Sequence, residues 1–208
     1  PLNLFGVNIV SKNNKLPIKL IGSNLLTPIQ YEENKGSAQI KTCIILSAIN
    51  TPGVTTIKAR KSRNHTEVLL KYLKYPIQIN KYQKYDLIKV RGLHQFNSFD
   101  YNVPGDISSA SFFIVLTLLS KDSSLTIKNV NINPSRIGIL KIFNKMNANI
   151  KILNKKNYKG ELIGDIKIKS TKYFKSFNCP ASLNSSAIDE FLLIFLVAAK
   201  AKGVSKFR

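Results

Sequence analysis

A Ser-Ala pair followed by an apolar segment occurs three times in this chain, and this repeat constrains the fold more than any other feature. The pairs begin at Ser37, Ser109 and Ser186. Each pair leads into an apolar run of helical length, then a small residue, a Val or Leu, and a short basic segment of strand character. The first two copies add a second helix and two strands, which gives a period of roughly seventy residues. Solenoid repeats are about 20–50 residues long, so we expect an α/β (α+β) protein built from one repeated supersecondary unit.

Each Ser-Ala pair is predicted to open a helix. The first turn of a helix carries unpaired backbone N–H groups and about half a positive charge. Helix ends of this kind bind phosphates and carboxylates. Three such ends converging on a cleft would therefore favour anionic ligands.

The segments between the Ser-Ala helices predict strands and a second, amphipathic helix in each copy. β-Branched alternation and glycine breaks predict strand pairs at 16–21 with 28–31, 77–81 with 86–90, and 150–153 with 163–168. The first helices, such as 40–49, are apolar nearly all round, which predicts burial between sheets and other helices. The second helices, 66–75 and 136–146, show one apolar stripe and a Lys-bearing face, so we expect them at the surface.

Residues 92–104 are interpreted as the crossover between two domains. The segment ends in Pro104 and Gly105, which stop a strand, and Asp106 is placed to cap the next helix. We therefore expect domain one at 1–98 and domain two at 99–208. Pro1 starts within an apparent strand, and the third copy stops after its first helix and strand, so a chain cut at both ends is expected.

The composition is strongly basic, with 32 Lys and Arg against 11 Asp and Glu and a net charge of +21. Such a charge often indicates a nucleic-acid or anionic membrane partner. Arg, however, stands only at positions 60, 63, 91, 136 and 208, whereas phosphate and base recognition depends largely on Arg forks. The Lys residues are spread over most of the predicted elements. We therefore expect a solvated Lys surface, with no nucleic-acid and no membrane partner.

The two cysteines, Cys43 and Cys179, match no metal or redox spacing and fit a reducing, cytoplasmic location. Cys43 is expected in a helix core, while a reactive thiol at Cys179 is the less favoured reading. The longest apolar run, 191–199, is about half of a bilayer span, and no signal peptide pattern is present. No metal or cofactor site is predicted.

Two segments in the first half carry candidate ligand-binding residues. A helix is predicted to open at Ser37, Ala38 and Gln39. These residues either contact an anionic, hydroxylated ligand or, as the alternative, only provide a helix N-cap at Ser37. Arg63 adds a guanidinium beside the start of the next helix, a geometry suited to phosphate or carboxylate. His65 follows in the first turn, where a structural role is favoured over that of a base.

In the third copy, Asp189 and Glu190 head an apolar helix. Two adjacent carboxylates cannot both be buried cheaply, so at least one should face a polar cleft. Asp189 is the candidate for acid–base chemistry.

Taken together, six motifs resemble those of the 5-enolpyruvylshikimate-3-phosphate synthase family, in the same order. No single motif is decisive, but six in register over almost the whole chain make a specific match. They are Ser37-Ala38-Gln39-Ile40-Lys41, Asn50-Thr51-Pro52-Gly53-Val54-Thr55-Thr56, Ser62-Arg63-Asn64-His65-Thr66-Glu67, Val103-Pro104-Gly105-Asp106-Ile107-Ser108-Ser109-Ala110, Asn133-Pro134-Ser135-Arg136 and Ile188-Asp189-Glu190.

The resemblance implies an inside-out fold of two domains, each made of three βαβαββ units. It also implies transfer of the enolpyruvyl group of phosphoenolpyruvate to the 5-hydroxyl of shikimate 3-phosphate, with release of phosphate, by a monomer that needs no cofactor. By the same resemblance, Ser37, Ala38 and Gln39 contact shikimate 3-phosphate, with Gln39 also near phosphoenolpyruvate. Arg63 serves the same substrate, and Asp189 accepts the proton of the attacking hydroxyl.

Two departures from the family pattern matter. Asn64 stands where the family usually has Asp, which affects only a helix cap. The chain also covers about the middle half of the family's length and lacks the N-terminal Lys and Arg elements and the C-terminal Lys-Glu-Ser-Asp-Arg segment. Because those parts hold most of the phosphoenolpyruvate site, the chain is expected to be inactive alone.

Three alternatives stay open at this point. UDP-N-acetylglucosamine enolpyruvyl transferase shares the repeat but needs a catalytic Cys loop and does not carry these motifs. A basic nucleic-acid-binding protein would cluster its Lys residues on one face. A catalytically dead fragment with a structural role is the third.

Overall fold

The computed structural model describes residues 1–13 and 15–207 of the chain. Its contacts divide it into two compact units, Pro1–Phe99 and Asp100–Arg208. Both units combine sheets with helices, and each has its own hydrophobic core.

The first unit is a four-stranded sheet covered by helices. After a 3-10 turn at Leu2–Phe5, its elements are β1 Asn8–Lys12, β2 Lys15–Ile21, β3 Gln30–Glu33, α1 Ala38–Ile49, β4 Val54–Arg60, α2 His65–Tyr72, β5 Ile77–Lys81 and β6 Tyr85–Arg91. The sheet has the order β3-β4-β6-β5, and only β3 and β4 run parallel, joined by α1 as the crossover that parallel strands require. Ile44 and Ile45 of α1 are fully buried in one core with Ile57 and Ile88 of the sheet.

The second unit is built around an antiparallel sheet of three strands. Its longer elements are α3 Ile107–Leu119, β7 Ser124–Asn131, α4 Gly138–Lys145, β8 Ile150–Tyr158, β9 Glu161–Lys169, and the short strands β10 Phe174–Lys175 and β11 Asn178–Cys179. A helical segment follows, made of a 3-10 turn Ala181–Leu183, α5 Asn184–Ala187, a 3-10 turn Ile188–Glu190 and α6 Phe191–Ala198. Two-residue strands β12 Ala201–Lys202 and β13 Lys206–Phe207 pair in parallel with β10 and β11. The sheet order is β7-β9-β8, and Ile114, Phe143, Ile166 and Ile194 are fully buried in one core.

Strand pairing differs from the prediction in the first copy and agrees with it in the other two. The antiparallel pairs β5 with β6 and β8 with β9 are confirmed. The pair 16–21 with 28–31 is wrong, because β2 pairs with β1, its neighbour in the chain, and β3 lies parallel to β4. An antiparallel neighbour needs only a short connection, and α1 supplies the long connection that takes β3 to the parallel position. The first residues form a 3-10 turn rather than the expected strand.

The Ser-Ala pairs do not mark equivalent helix starts. Ser37 is the N-cap of α1, but α3 is capped by Asp106, so Ser109 lies in its first turn. Ser186 and Ala187 end α5, where the prediction had them open a helix, because the helical segment already begins after Pro180. The prediction of three equivalent Ser-Ala helix starts is therefore wrong.

The first helices were expected to be buried all round, and they are not. One face of α3 and one face of α6 pack into the core, while their other faces expose Phe112, Phe113, Leu116, Leu192, Phe195 and Leu196. The second helices keep the predicted apolar stripe, with Leu70 of α2 and Ile139, Leu140 and Phe143 of α4 buried.

The helical segment Ala181–Ala198 is longer than the apolar run seen in the sequence. It has 18 residues, a mean hydropathy of 1.5 and only 22% of its residues buried, so length and composition alone would let it cross a membrane. This is weak evidence, since a core helix of a soluble protein passes the same test. The segment also contains Asp189 and the buried Glu190, both bonded to side chains of the second unit.

Candidate functional site

The start of α1 presents the first group of predicted site residues. Ser37 has an extended backbone, and its Oγ accepts a hydrogen bond from the backbone N–H of Ile40 at 3.3 Å. Ser37 is therefore the N-cap of α1. A hydroxyl that accepts one bond still has a proton to donate and a second lone pair. The N-cap role therefore leaves the contact with an anionic ligand possible. Just before it, both carboxylate oxygens of Glu33 accept backbone N–H bonds from Lys35 and Gly36, which fixes the turn.

An open hollow of about 430 Å³ lies between the starts of α1 and α2. Its lining residues are Ala38, Gln39, Thr42, Cys43, Leu46, Arg63, His65 and Thr66. The structure thus brings Ala38, Gln39 and Arg63 to one surface, with Ser37 at the adjoining helix end. The Oγ1 atoms of Thr42 and Thr66 are 2.8 Å apart and join the two helices beside the hollow.

A buried ion pair supports these two helix starts. Lys41 is 1% exposed, and its Nζ lies 2.6 Å from Oε1 of Glu67 and donates to the backbone carbonyl of Arg63 at 2.8 Å. A buried charge is tolerated only when it is paired and hydrogen-bonded. The pair therefore fixes the backbone at Arg63 relative to α1. Sequence reasoning quoted both residues in motifs but missed the pairing, because the two motifs are separated by another and nothing in the sequence marks either side chain as buried.

Two buried oxygens at the start of α2 have no hydrogen-bond partner among the described residues. They are Oγ of Ser62 and Oε2 of Glu67. Buried polar atoms nearly always have a protein or solvent partner, so this region is suited to a polar ligand or ordered water. Ser62, next to Arg63, was not singled out from the sequence.

In the second unit, Asp189 lies in the 3-10 turn between α5 and α6. Its side chain is 45% exposed, and its Oδ2 accepts a bond from Nη1 of Arg136 at 3.0 Å. Glu190 next to it is buried and its Oε1 accepts a bond from Oγ of Ser108 at 2.5 Å. One of the two carboxylates is therefore exposed and the other buried, while the predicted polar cleft stays a prediction.

Arg136 connects Asp189 to the start of α3. Its Nη2 donates to Oγ of Ser108 at 2.6 Å and to Oδ1 of Asp106 at 3.3 Å. Burial alone would raise the pKa of Asp106, but the hydrogen bonds from Ser109 and the nearby Arg136 charge outweigh it and hold that pKa below its usual value. Sequence reasoning saw Asp106 only as a cap and missed the network, although its members lie in three of the quoted motifs.

The structure gives less support for a chemical role of Cys179, of His65 or of a metal site. Burial raises the pKa of the Cys179 thiol, which disfavours the thiolate that a nucleophile requires. His65 opens α2 and lines the hollow. Within residues 1–13 and 15–207, no three His, Cys, Asp or Glu side chains are grouped so as to hold a metal ion.

The architecture is that of the enolpyruvyl transferases. The enolpyruvyl transferase NikO from Streptomyces tendae matches with a TM-score of 0.71 over 97% of this chain and 49% of that chain, at 15% identity, which is a likeness of fold. The family model for EPSP synthase (3-phosphoshikimate 1-carboxyvinyltransferase) matches residues 1–208, and the chain belongs to this family. The resemblance drawn from the six motifs and the predicted fold class are confirmed.

Individual relatives agree with this family. The chain is 42% identical over 204 residues to the 3-phosphoshikimate 1-carboxyvinyltransferase of Ruthia magnifica subsp. Calyptogena magnifica, covering 98% of this chain and 46% of the relative. It is 39% identical over 207 residues to the enzyme of the same name from Petrotoga mobilis, covering 98% and 47%. The structure of EPSP synthase from Acinetobacter baumannii matches with a TM-score of 0.84 at 32% identity, covering 99% of this chain and 46% of that chain. The chain spans about half the length of the curated relatives it matches.

Proposed function

We propose that this chain is part of an enzyme that transfers the enolpyruvyl group of phosphoenolpyruvate to the 5-hydroxyl of shikimate 3-phosphate. The new C–O bond forms at the enolpyruvyl carbon, phosphate leaves, and the hydroxyl proton passes to a base. Family membership supports this reaction. The observation that carries the proposal is the hollow at the start of α1, where Gln39 and Arg63 lie on one surface.

Shikimate 3-phosphate is the substrate assigned to the first unit. Ser37, Ala38 and Gln39 offer a hydroxyl, backbone N–H groups of a helix start and an amide, and Arg63 offers a guanidinium. These are the groups that bind phosphate and hydroxyl oxygens. Residues 1–98 would then be part of the domain for this first substrate, and 99–208 part of the second domain.

Asp189 is assigned the acid–base step. Its half-exposed carboxylate can reach a ligand, and Nη1 of Arg136 holds its Oδ2 at 3.0 Å. The proposal extends to a cytoplasmic monomer that acts on these two small molecules and binds no nucleic acid.

The isolated 208-residue chain should show no turnover, because most phosphoenolpyruvate ligands of the family lie outside the half that it spans. The measurement is phosphate release from the two substrates, against a blank without protein. Release above the blank would overturn this expectation.

The activity itself is tested in a completed enzyme, in which these 208 residues replace the matching part of the Acinetobacter baumannii EPSP synthase. We expect release of phosphate from phosphoenolpyruvate that depends on shikimate 3-phosphate. Calorimetry with shikimate 3-phosphate alone separates binding from chemistry. A folded completed enzyme that neither binds this substrate nor releases phosphate would contradict the proposed function.

A further inference from the structure

We propose that Arg136 is a positioning residue that fixes the carboxylate of Asp189 for proton transfer. The proposal rests on the proposed function, in which Asp189 accepts the proton. It assigns a specific task to a side chain that neither the motifs nor the family assignment connects with the chemistry.

Arg136 is a buried cation with partners on both of its terminal nitrogens. The residue is 9% exposed, and its Nη1 bonds Asp189 while its Nη2 bonds Ser108 and Asp106. A planar guanidinium holds its donors at fixed angles, so the Nη2 contacts determine where Nη1 points. The position of Oδ2 of Asp189 is therefore set by the start of α3.

The turn that carries Arg136 is itself rigid. The side-chain oxygen of Asn133 accepts bonds from the backbone N–H of Ser135 at 2.9 Å and from its Oγ at 2.8 Å. The backbone N–H of Arg136 donates to the carbonyl of Asn133 at 2.8 Å, and Nδ2 of Asn133 donates to the buried Glu161 at 3.1 Å. The backbone that carries the guanidinium is thus fixed before Asp189 is engaged.

The segment that carries Asp189 is held on both sides. After it, Glu190 is bonded to Ser108, the same hydroxyl that accepts from Arg136. Before it, Ser186 lies against Gly138 so closely that a Cβ at residue 138 would be 2.6 Å from the Ser186 carbonyl carbon and oxygen. The backbone around residue 189 therefore has a defined place next to the turn of Arg136.

This arrangement matters because Asp189 is half exposed. An exposed carboxylate without a fixed partner samples several rotamers, and restricting them has an entropic cost at the moment of reaction. Fixed geometry between a base and its substrate is a large part of catalysis, and a misplacement of about 1 Å can cost ~100-fold in rate. Arg136 restricts the rotamers in advance. A Lys at this position would keep the charge but could not hold two partners at fixed angles, as the two terminal nitrogens of the guanidinium do.

The first test is a kinetic cycle in the completed enzyme, with Arg136→Gln, Arg136→Lys, Asp189→Asn and the Arg136→Gln/Asp189→Asn double variant. We expect either single change at Arg136 to lower kcat ~10–100-fold with KM for shikimate 3-phosphate within about threefold. If Arg136 acts through Asp189, the double variant should be no slower than Asp189→Asn. Arg91→Gln, on the exposed end of β6, is the control. The proposal would be overturned if the fold-loss of kcat in the double variant equalled the product of the losses in the two single variants. Full kcat in Arg136→Lys would also overturn it.

The second test does not depend on activity. The 208-residue chain has Arg at only five positions, so its guanidinium N–H signals can be resolved in 15N NMR spectra at low temperature and assigned with Arg136→Lys. We expect slowly exchanging Arg136 signals, one of which moves in Asp189→Asn while the Arg91 signals stay unchanged. If none moves, Arg136 does not fix Asp189, whatever the reaction. If one moves but the completed parent enzyme shows no turnover, the positioning is supported and the proposed function fails.

Discussion

The two units arrange their buried charges in different ways. In the first, Lys41 and Glu67 pair below the helix starts, and Arg63 lies on the hollow beside polar side chains. In the second, the buried Arg136 is bonded to Asp106 and Asp189. Here the cation is buried, and the carboxylates of these two partners are about half exposed. The first arrangement suits the capture of an anion, whereas the second suits the placing of a base. Changes in the first unit should therefore alter stability and binding, and changes near Asp189 should alter the rate.

The largest stability effect is expected at the buried ion pair of the first unit. Lys41→Met leaves the carboxylate of Glu67 buried without its cation, which costs about 3–5 kcal/mol of unfolding free energy. Urea unfolding followed by signals of the first unit measures the loss.

A double variant and a matched control sharpen that result. Lys41→Met/Glu67→Leu should recover much of the stability, since an apolar pair can replace a buried ion pair at little cost. Lys58→Met breaks the exposed pair of Lys58 and Glu32 and should have little effect. Equal losses at Lys41 and Lys58 would show that burial is not what makes the first pair important.

The second unit is tested through Asp189→Asn in the completed enzyme. We expect kcat to fall at least ~100-fold, within the range for loss of a general base, because the amide cannot accept the proton. Binding of shikimate 3-phosphate, measured by calorimetry, should be largely retained. Asp122→Asn, an exposed position, is the control, and a kcat within a few-fold of the parent in Asp189→Asn would place the base elsewhere.

Arg63→Ala tests the first unit through substrate binding, where Asp189→Asn tested the second unit through the rate. Loss of a charge-assisted hydrogen bond should weaken binding of shikimate 3-phosphate by about 1.5–3 kcal/mol. Arg60→Ala, on the exposed end of β4, serves as the control. An unchanged dissociation constant for Arg63→Ala would mean that Arg63 is an ordinary surface residue.

The smallest effect concerns the pH dependence contributed by Asp106. Because the folded-state pKa of Asp106 lies below its usual value, its ionised form stabilises the fold at pH values above the ordinary Asp pKa of about 3.9. This contribution is lost as the pH falls through the lower folded pKa. Asp106→Asn can still cap α3 but does not titrate.

The difference in unfolding free energy between the parent and Asp106→Asn should therefore shrink as the pH is lowered from 5 to 2. It should stay below about 1 kcal/mol, because the Asp106 side chain is half exposed and its ion pair is partly screened. A difference that grows on acidification would reverse the sign assigned to this carboxylate.

The sequence predicted local structure better than long-range structure. The hairpins of β5 with β6 and β8 with β9, and the Asp106 cap, depend on neighbouring residues and were found. The pairing of β3 with β4 depends on the path of the chain around α1, which alternation cannot indicate. The 3-10 turn at Ile188–Glu190 was missed, because Ser186, Ala187 and the apolar run that follows look in sequence like the start of one helix.

The same distinction applies to the candidate site residues. Ala38, Gln39 and Arg63 lie on one hollow, and Asp189 is accessible, but their roles stay predictions. The Lys41 and Glu67 pair and the Arg136 network were missed, because partners 26 and 53 positions apart become visible only when the chain is folded.

The hairpin of β8 and β9 and the carboxylate network around Arg136 should form at different stages of folding. The turn of β8 and β9 needs only Lys159 and Gly160, both at positive φ as a two-residue hairpin of type I′ requires. The bonds of Glu190 to Ser108 and of Asp189 to Arg136 close loops of 82 and 53 residues. Long loops are entropically costly and slow to close, so we expect the hairpin early in folding and the carboxylate network late. During refolding, far-UV circular dichroism should therefore recover before the Arg136 guanidinium signals reappear, and a trapped intermediate would be rich in secondary structure yet without its base in place.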